Sequence, residues 1–153
     1  MNYHNITKED VLNGEGVRVV LWVSGCPHHC KGCHNPETWP LDSGIEFDES
    51  AQEELFEALN RPYISGITFS GGDPLHPQNR EEITKLSKLI KEKFPTKNQW
   101  LYTGYLYSDV KDLEIMKSLD VIVTGEYQEQ NRSPNLPWVG SHNQRVIRIK
   151  DLK

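Results

Sequence analysis

All three cysteines of the chain, Cys26, Cys30 and Cys33, lie within one short segment. The segment directly follows the run Val17–Val23, whose near-continuous hydrophobicity predicts a strand buried on both faces, as in parallel α/β sheets. Thiolates are the usual ligands of iron–sulfur clusters, and three of them can hold three irons of a cubane [4Fe–4S] cluster. The remaining iron then has no protein ligand and can bind a small molecule. The segment therefore predicts a cluster at the carboxyl end of a buried strand, where parallel-sheet proteins place their ligands.

The same cysteines could serve other purposes. A disulfide would leave one thiol over, and it would close only a very short loop, where a cross-link stabilises least. A zinc site needs a fourth ligand, which His28, His29 or His34 could supply. Structural zinc sites usually consist of two ligand pairs separated by a dozen or more residues, and this chain has no second pair. The spacing favours the cluster, with zinc as the alternative.

Size and composition exclude several classes of protein. A length of 153 residues predicts a single domain over 1–153. The net charge is -5 and the 17 Lys and Arg residues are scattered, so no nucleic-acid partner is expected. No apolar run approaches the roughly 20 residues that span a bilayer, and the first residues do not resemble a signal peptide, so no membrane partner is expected. Cysteines confined to one cluster suit a reducing cytoplasm, which is the predicted location.

Strand and helix patterns alternate along the chain. Strands are predicted over 17–23, 64–70, 99–102, 120–124 and 144–149, the last with the alternation of an edge strand. Helices are predicted over 48–59, with Asp48 as the N-cap, and over 79–93 and 109–118; 1–16 is an entry segment and 36–47 a loop. This alternation predicts an α/β fold with a mainly parallel sheet of about five to six strands. So few strands cannot close an eight-stranded barrel, so we expect an open partial (β/α) barrel.

A second group of candidate site residues follows the other predicted strands. Ser70, Gly71, Gly72 and Asp73 end the second strand, and Thr103 follows the third. Glycines are needed where a backbone approaches a ligand closely or adopts a positive φ, although ordinary turns between strand and helix also use them. If the sheet is parallel, these residues and the cysteine loop share one rim.

Several segments together resemble a known family. The spacing of the cysteines is the signature of radical S-adenosylmethionine (SAM) enzymes. The matching segments are Gly25-Cys26, Gly32-Cys33-His34-Asn35, Asn13-Gly14-Glu15-Gly16, Ser70-Gly71-Gly72-Asp73-Pro74-Leu75 and Gly140-Ser141-His142-Asn143-Gln144-Arg145. With them the chain resembles one branch of that superfamily, the activating proteins of anaerobic ribonucleoside-triphosphate reductase. The resemblance implies the radical SAM type of partial barrel.

The resemblance also implies roles for individual residues. Cys26, Cys30 and Cys33 would hold the [4Fe–4S] cluster. Gly71, Gly72 and Asp73 would hold the amino group of SAM, although the superfamily more often has Glu where this chain has Asp73. The other cofactor-binding residues would be Gly32, Cys33 and His34 near the adenine, together with Ser70 and Thr103. His34 replaces the Tyr of closer relatives, and its alternative is a solvated loop histidine. No catalytic side chain is expected beyond these cofactors.

The implied reaction is the reductive cleavage of SAM to methionine and a 5′-deoxyadenosyl radical. That radical would take a hydrogen atom from a glycine Cα on the large subunit of the reductase. The implied partners are this subunit and a one-electron donor, flavodoxin-like or similar. Two alternatives stay open: a small radical SAM enzyme acting on a free metabolite, such as a pterin or nucleoside precursor, and a zinc-binding module without catalysis. No step can be assigned to Asn143, Gln144 and Arg145.

Overall fold

The computed structural model describes residues 1–28, 39–132, 138–139, 141 and 143–149. Its strands are β1 (Asn2–Asp10), β2 (Arg18–Val23), β3 (Ile45–Glu46), β4 (Gly66–Gly71), β5 (Asn98–Tyr102), β6 (Val121–Thr124) and β7 (Arg145–Arg148). Its α-helices are α1 (Glu49–Leu59), α2 (Arg80–Lys93) and the short α3 (Tyr107–Val110), with 3₁₀ turns at Glu114–Lys117 and Glu129–Asn131. Among these residues no helix is long and apolar enough to cross a membrane.

The strands form one seven-stranded sheet in the order β3-β1-β2-β4-β5-β6-β7. The centre is parallel, because β4 pairs in parallel with β2 and β5, and β5 pairs in parallel with β6. The flanks are antiparallel: β1 pairs with β2 and β3, and β7 pairs with β6. The expected partial barrel with a mainly parallel sheet of five to six strands is therefore wrong. The described fold is an open, mixed sheet in which as many neighbouring pairs are antiparallel as parallel.

The largest difference from the expectation is β1, which lies in the segment predicted to be an entry without regular structure. Its sequence is mostly polar, and only Tyr3 and Ile6 are buried. The pairing of β1 with β2 is irregular between Tyr3 and Asn5 and between Thr7 and Asp10. Such irregularities break the strict alternation by which a strand is recognised in a sequence. The two-residue β3 lies in the predicted loop for a related reason, since it is too short to show a period.

The predicted helices are confirmed at α1 and α2. The carboxylate of Asp48 accepts a hydrogen bond from the amide of Ala51 at 2.9 Å, so Asp48 is the N-cap as predicted; such a cap is worth about 1 kcal/mol. The single helix predicted over 109–118 is wrong. There α3 ends at Val110, and a 3₁₀ turn over Glu114–Lys117 buries the apolar side chains Ile115 and Met116 instead.

One face of the sheet carries the main apolar core. Alternate residues of the central strands, such as Leu21 and Phe69, share one buried cluster with Leu55 of α1 and Ile90 of α2. The other face carries a smaller cluster around Trp100, Val121 and Val123. Both helices therefore anchor the parallel strands, whose carboxyl ends lie side by side at one rim. The edge position predicted for the last strand is confirmed by β7.

Candidate functional site

A cleft lies at the carboxyl ends of the parallel strands. It is lined by Cys26, Ser70, Gly71, Gly72 and Thr103, and by Gly104 and Gly125. The prediction that the cysteine loop and the ends of the next strands meet at one rim is confirmed for these residues. The other candidate residues, Cys30, Gly32, Cys33 and His34, lie outside the described residues. Contacts of all these side chains with a cofactor stay predictions.

The two glycines at the end of β4 bring the cysteine loop against the sheet. Gly71 has φ +103°, a conformation that favours glycine. A Cβ on Gly72 would lie 2.7 Å from the carbonyl oxygen of Gly25, and Asp73 donates its amide proton to that same oxygen at 2.7 Å. The close approach that requires Gly72 is therefore to the backbone beside Cys26. This contact places the first cysteine directly over the end of β4.

Asp73 is the most heavily hydrogen-bonded side chain of the rim, with an exposed fraction of 1%. Its carboxylate accepts from the amides of Leu75 and Gly104, both at 2.9 Å. The hydroxyl of Thr103 lies 2.9 Å from both carboxylate oxygens, and Nε2 of His28 lies 2.7 Å from Oδ2. A carboxylate offers about four lone-pair sites, so these four donors fill its capacity. Asp73 thus joins the ends of β4 and β5 to the cysteine loop.

His28 lies between two acidic side chains that sequence reasoning did not connect. Its Nε2 contacts Asp73, and its Nδ1 lies 2.8 Å from Oε2 of Glu126, which follows β6. Its ring also packs edge-on against Tyr105, with centroids 4.7 Å apart. Burial alone would lower the pKa of His28, but the hydrogen bond and charge of Asp73 and the charge of Glu126 outweigh it, so the pKa is raised. Because carboxylate oxygens accept, both ring nitrogens donate.

From the sequence, His28 is a candidate only as a zinc ligand, and Glu126 is not a candidate site residue. Glu126 directly follows Gly125 at the end of β6, and residues in that position of a parallel strand belong to the same rim. This position after a strand is the sequence signal that could have marked Glu126 as a rim residue. It could not identify His28 as its partner, because the two residues are separated by 98 positions.

Asn143 and Gln144, in the last of the segments that carry the resemblance, hold the backbone at the same rim. Nδ2 of Asn143 donates to the carbonyl of Glu126 at 2.7 Å, and Nε2 of Gln144 donates to the carbonyl of Gly125 at 3.1 Å. The amide of Gly125 in turn donates to the carbonyl of Tyr105 at 3.0 Å. Asn143 and Gln144 therefore have a structural role, because these bonds fix the backbone that carries Glu126.

The described part of the cleft fits an iron–sulfur cluster with a small polar ligand beside it. Cys26, the first of the three predicted cluster ligands, lines the cleft together with Gly71 and Gly72, which place no side chains in it. The hydroxyl of Tyr102, whose residue also lines the cleft, is buried and has no hydrogen-bond partner among the described residues. Burial raises the pKa of Tyr102, so its hydroxyl keeps its proton.

Comparison with known proteins identifies the class of this chain. Residues 12–147 match the family model described as a 4Fe–4S single cluster domain. The chain is 49% identical over 146 residues to the anaerobic ribonucleoside-triphosphate reductase-activating protein of Enterobacteria phage T4, covering 95% of this chain and 93% of the relative. It is 39% identical over 154 residues to the protein of that name from Escherichia coli K12, covering 98% and 100%. The protein of that name from Vibrio cholerae is 39% identical over 153 residues, with 97% and 99% covered.

A single-cluster 4Fe–4S domain is thus the class to which the cysteine loop and the matched model assign the chain. Within that class the chain belongs to the family of anaerobic ribonucleoside-triphosphate reductase-activating proteins. The recognition made from the sequence is therefore confirmed.

Proposed function

We propose that this protein activates an anaerobic ribonucleoside-triphosphate reductase by generating a glycyl radical on its large subunit. The relatives that match almost the whole chain are named as activating proteins of that reductase, which supports the activation but not its chemistry. The observation that carries the proposal is the contact of Gly72 with the backbone beside Cys26, which sets a thiol ligand over the glycines at the end of β4. A cluster and a cofactor can be held side by side at that point.

The proposed roles follow the rim. Cys26, Cys30 and Cys33 hold the cluster, which leaves one iron to bind SAM. Ser70, Gly71, Gly72, Asp73 and Thr103 form the side of the cleft that receives the methionine part of SAM, and Gly32, Cys33 and His34 form the adenine side. Bound there, the cluster and SAM would supply the chemistry: one external electron would split SAM into methionine and a 5′-deoxyadenosyl radical, which would take the glycine α-hydrogen and leave as 5′-deoxyadenosine.

The protein itself binds and positions these groups. The carboxylate of Asp73 is filled by four donors, so the backbone carbonyls of the Gly71–Gly72 segment are the acceptors that we assign to the amino group of SAM. Asp73 then acts by fixing the shape of the segment.

The partners are part of the proposal. A protein substrate suits a chain of 153 residues that we treat as a single domain, because little of it remains to enclose a metabolite. The electron comes from a one-electron donor, flavodoxin-like or similar, in a reducing cytoplasm. A specific complex with the large subunit should bury at least about 1,000 Å², unless it is transient.

The test is electron paramagnetic resonance of an anoxic mixture of the reconstituted protein, reductant, SAM and the large subunit. We expect an organic radical signal split by one α-hydrogen, and its collapse to a near-singlet when the reductase contains deuterated glycine. Changing the target glycine of the reductase to Ala should remove the signal without changing the iron content or SAM binding of the activating protein. No radical on the reductase, together with catalytic turnover of a free metabolite, would contradict the proposal. Zinc in place of iron and sulfide after reconstitution would contradict it as well.

A further inference from the structure

The segment that carries Cys26 is attached to the sheet on both sides of that residue. On one side the carbonyl of Gly25 accepts the amide proton of Asp73 at 2.7 Å. On the other side the ring of His28 donates to the carboxylate of Asp73 at 2.7 Å. The same residue at the end of β4 therefore holds the segment twice, once through its backbone and once through its side chain.

Gly104 provides the space for the ring of His28. A Cβ at this position would lie 2.4 Å from Cδ2 of His28, closer than real side chains approach, and its φ lies outside the left-handed region. The backbone conformation thus does not require glycine at 104. Glycine is required at 104 because the imidazole of His28 lies so close. The end of β5 therefore leaves room for His28 in this position.

Glu126 holds the other ring nitrogen from the opposite side of the cleft. Its side chain is half exposed, and an exposed ion pair contributes little by itself. Its backbone is fixed, however, because Asn143 donates to its carbonyl and Gln144 donates to the carbonyl of Gly125. The ring of His28 therefore links the ends of β4 and β6 across the loop of the first cysteine.

We propose that His28 is a positioning residue for the cluster-binding loop, with Asp73 and Glu126 as its two anchors. The proposal rests on the proposed function of Cys26 as a cluster ligand and extends it. His28 fixes the direction of the Cys26 thiol before any cofactor is bound, so that the iron left open by the three thiolates faces the glycines of β4. In this role it acts through the loop that carries Cys26, because its two ring nitrogens are engaged by Asp73 and Glu126.

The first measurement uses the cofactor-free protein and amide hydrogen exchange of the 25–28 segment. In His28→Ala this segment should exchange about tenfold faster or more, because it loses the hydrogen bond from the ring to the carboxylate of Asp73. Gly104→Ala should reproduce the effect with His28 still present, because the new methyl group occupies the position of the ring. His28→Gln should restore part of the protection, because its amide can donate to Asp73. The matched control is His4→Gln, at a histidine that bonds Ser43 on the antiparallel flank.

The second measurement uses the reconstituted protein. In His28→Ala and Gly104→Ala we expect near-normal iron content, because the backbone bond between Gly25 and Asp73 still holds the loop. We expect about tenfold weaker SAM binding, read from the change that SAM causes in the spectrum of the reduced cluster. His28→Gln should recover SAM affinity. The proposal is overturned if His28→Ala exchanges and binds SAM like the wild type, or if only Gly104→Ala has an effect. The exchange result does not depend on reductase activation, so failure of the proposed function and failure of this inference can be told apart.

Discussion

The two ends of the parallel strands each bury one charged side chain, and the two are held in different ways. At the amino end, Arg18 opens β2 opposite Gly66 and is fully buried. At the carboxyl end, Asp73 follows β4 and has an exposed fraction of 1%. A buried charge is costly unless its hydrogen bonds are satisfied, so the partners of each residue show what each end of the sheet is for.

Arg18 is satisfied mainly by backbone. It donates to the carbonyls of Glu15 and Ile67 at 2.9 and 2.8 Å and to the hydroxyl of Thr68 at 2.8 Å. Its guanidinium also stacks on Trp100 at 5.4 Å from the ring centroid, and it forms no ion pair with the described acidic side chains. Burial lowers the pKa of Arg18 to about 10, which still leaves it charged at neutral pH. These partners leave Arg18 without access to solvent, so the amino end of the strands is a packed part of the fold.

The partners of Asp73 come from separate segments that converge on the cleft. Thr103 and Gly104 follow β5, and His28 lies on the cysteine loop. The buried charge at the amino end therefore mainly stabilises the fold. The buried charge at the carboxyl end instead fixes the positions of the loops around the cleft. Variants of Arg18 should therefore lose the most folding free energy. Variants at the carboxyl rim should lose less of it, and those that move the cysteine loop should also lose cofactor binding.

Removing the buried guanidinium should have the largest effect on stability. Arg18→Met leaves several buried acceptors without donors, each worth about 1–3 kcal/mol, so the free energy of unfolding should fall by about 3 kcal/mol or more. Unfolding of the cofactor-free protein in guanidinium chloride measures this free energy. The exposed Lys8→Met, which loses only a surface ion pair, should change it by less than about 1 kcal/mol. Equal losses in the two variants would remove the contrast between the ends.

Adding one methyl group at the carboxyl rim should affect folding less and iron binding more. In Gly72→Ala the Cβ would lie 2.7 Å from the carbonyl oxygen of Gly25, so the backbone beside Cys26 must move. Overpacking of this kind costs about 1–3 kcal/mol. We expect fewer irons per chain after anoxic reconstitution, measured together with the unfolding midpoint. Full iron content in Gly72→Ala would show that this contact does not place the cluster loop.

Removing one hydroxyl should have the smallest effect. Thr103→Val leaves Asp73 without one of its four donors, which should cost about 1–2 kcal/mol of unfolding free energy. Thr103→Ser keeps the hydroxyl and should stay near the wild type. If Val and Ser at this position behave alike, the bond from Thr103 does not stabilise the rim.

The sequence predicted the parts whose signals are local. The apolar runs of the central strands, the N-cap of α1 and the residues at the strand ends are all visible within a few positions. The mostly polar β1 is not, because its place in the sheet depends on pairing with β2 and β3. Without β1, the alternation of strands and helices pointed to a mainly parallel sheet, which the structure contradicts.

Contacts between distant segments set the second limit. Residues 13–16 are one of the segments that carry the resemblance, and only the structure shows that this turn lies at the end of the sheet opposite the cysteine loop. There the carbonyl of Asn13 accepts a hydrogen bond from Thr68, and a Cβ on Gly14 would lie 2.7 Å from Cδ of Arg18. This turn therefore packs against the side chain of Arg18 at the amino end of the strands. The bond between His28 and Glu126 was likewise out of reach, because no local pattern pairs residues 98 positions apart.

We propose that the cysteine loop at the carboxyl end holds the cluster that cleaves SAM. The decisive measurement is the 5′-deoxyadenosine formed by the reduced, reconstituted protein in Cys26→Ala, Cys30→Ala and Cys33→Ala, with the iron content and unfolding midpoint of each variant. We expect production at the wild-type rate in Lys8→Met and none above background in any of the three cysteine variants, because two thiolates cannot hold such a cluster. Wild-type production in any single cysteine variant would contradict it.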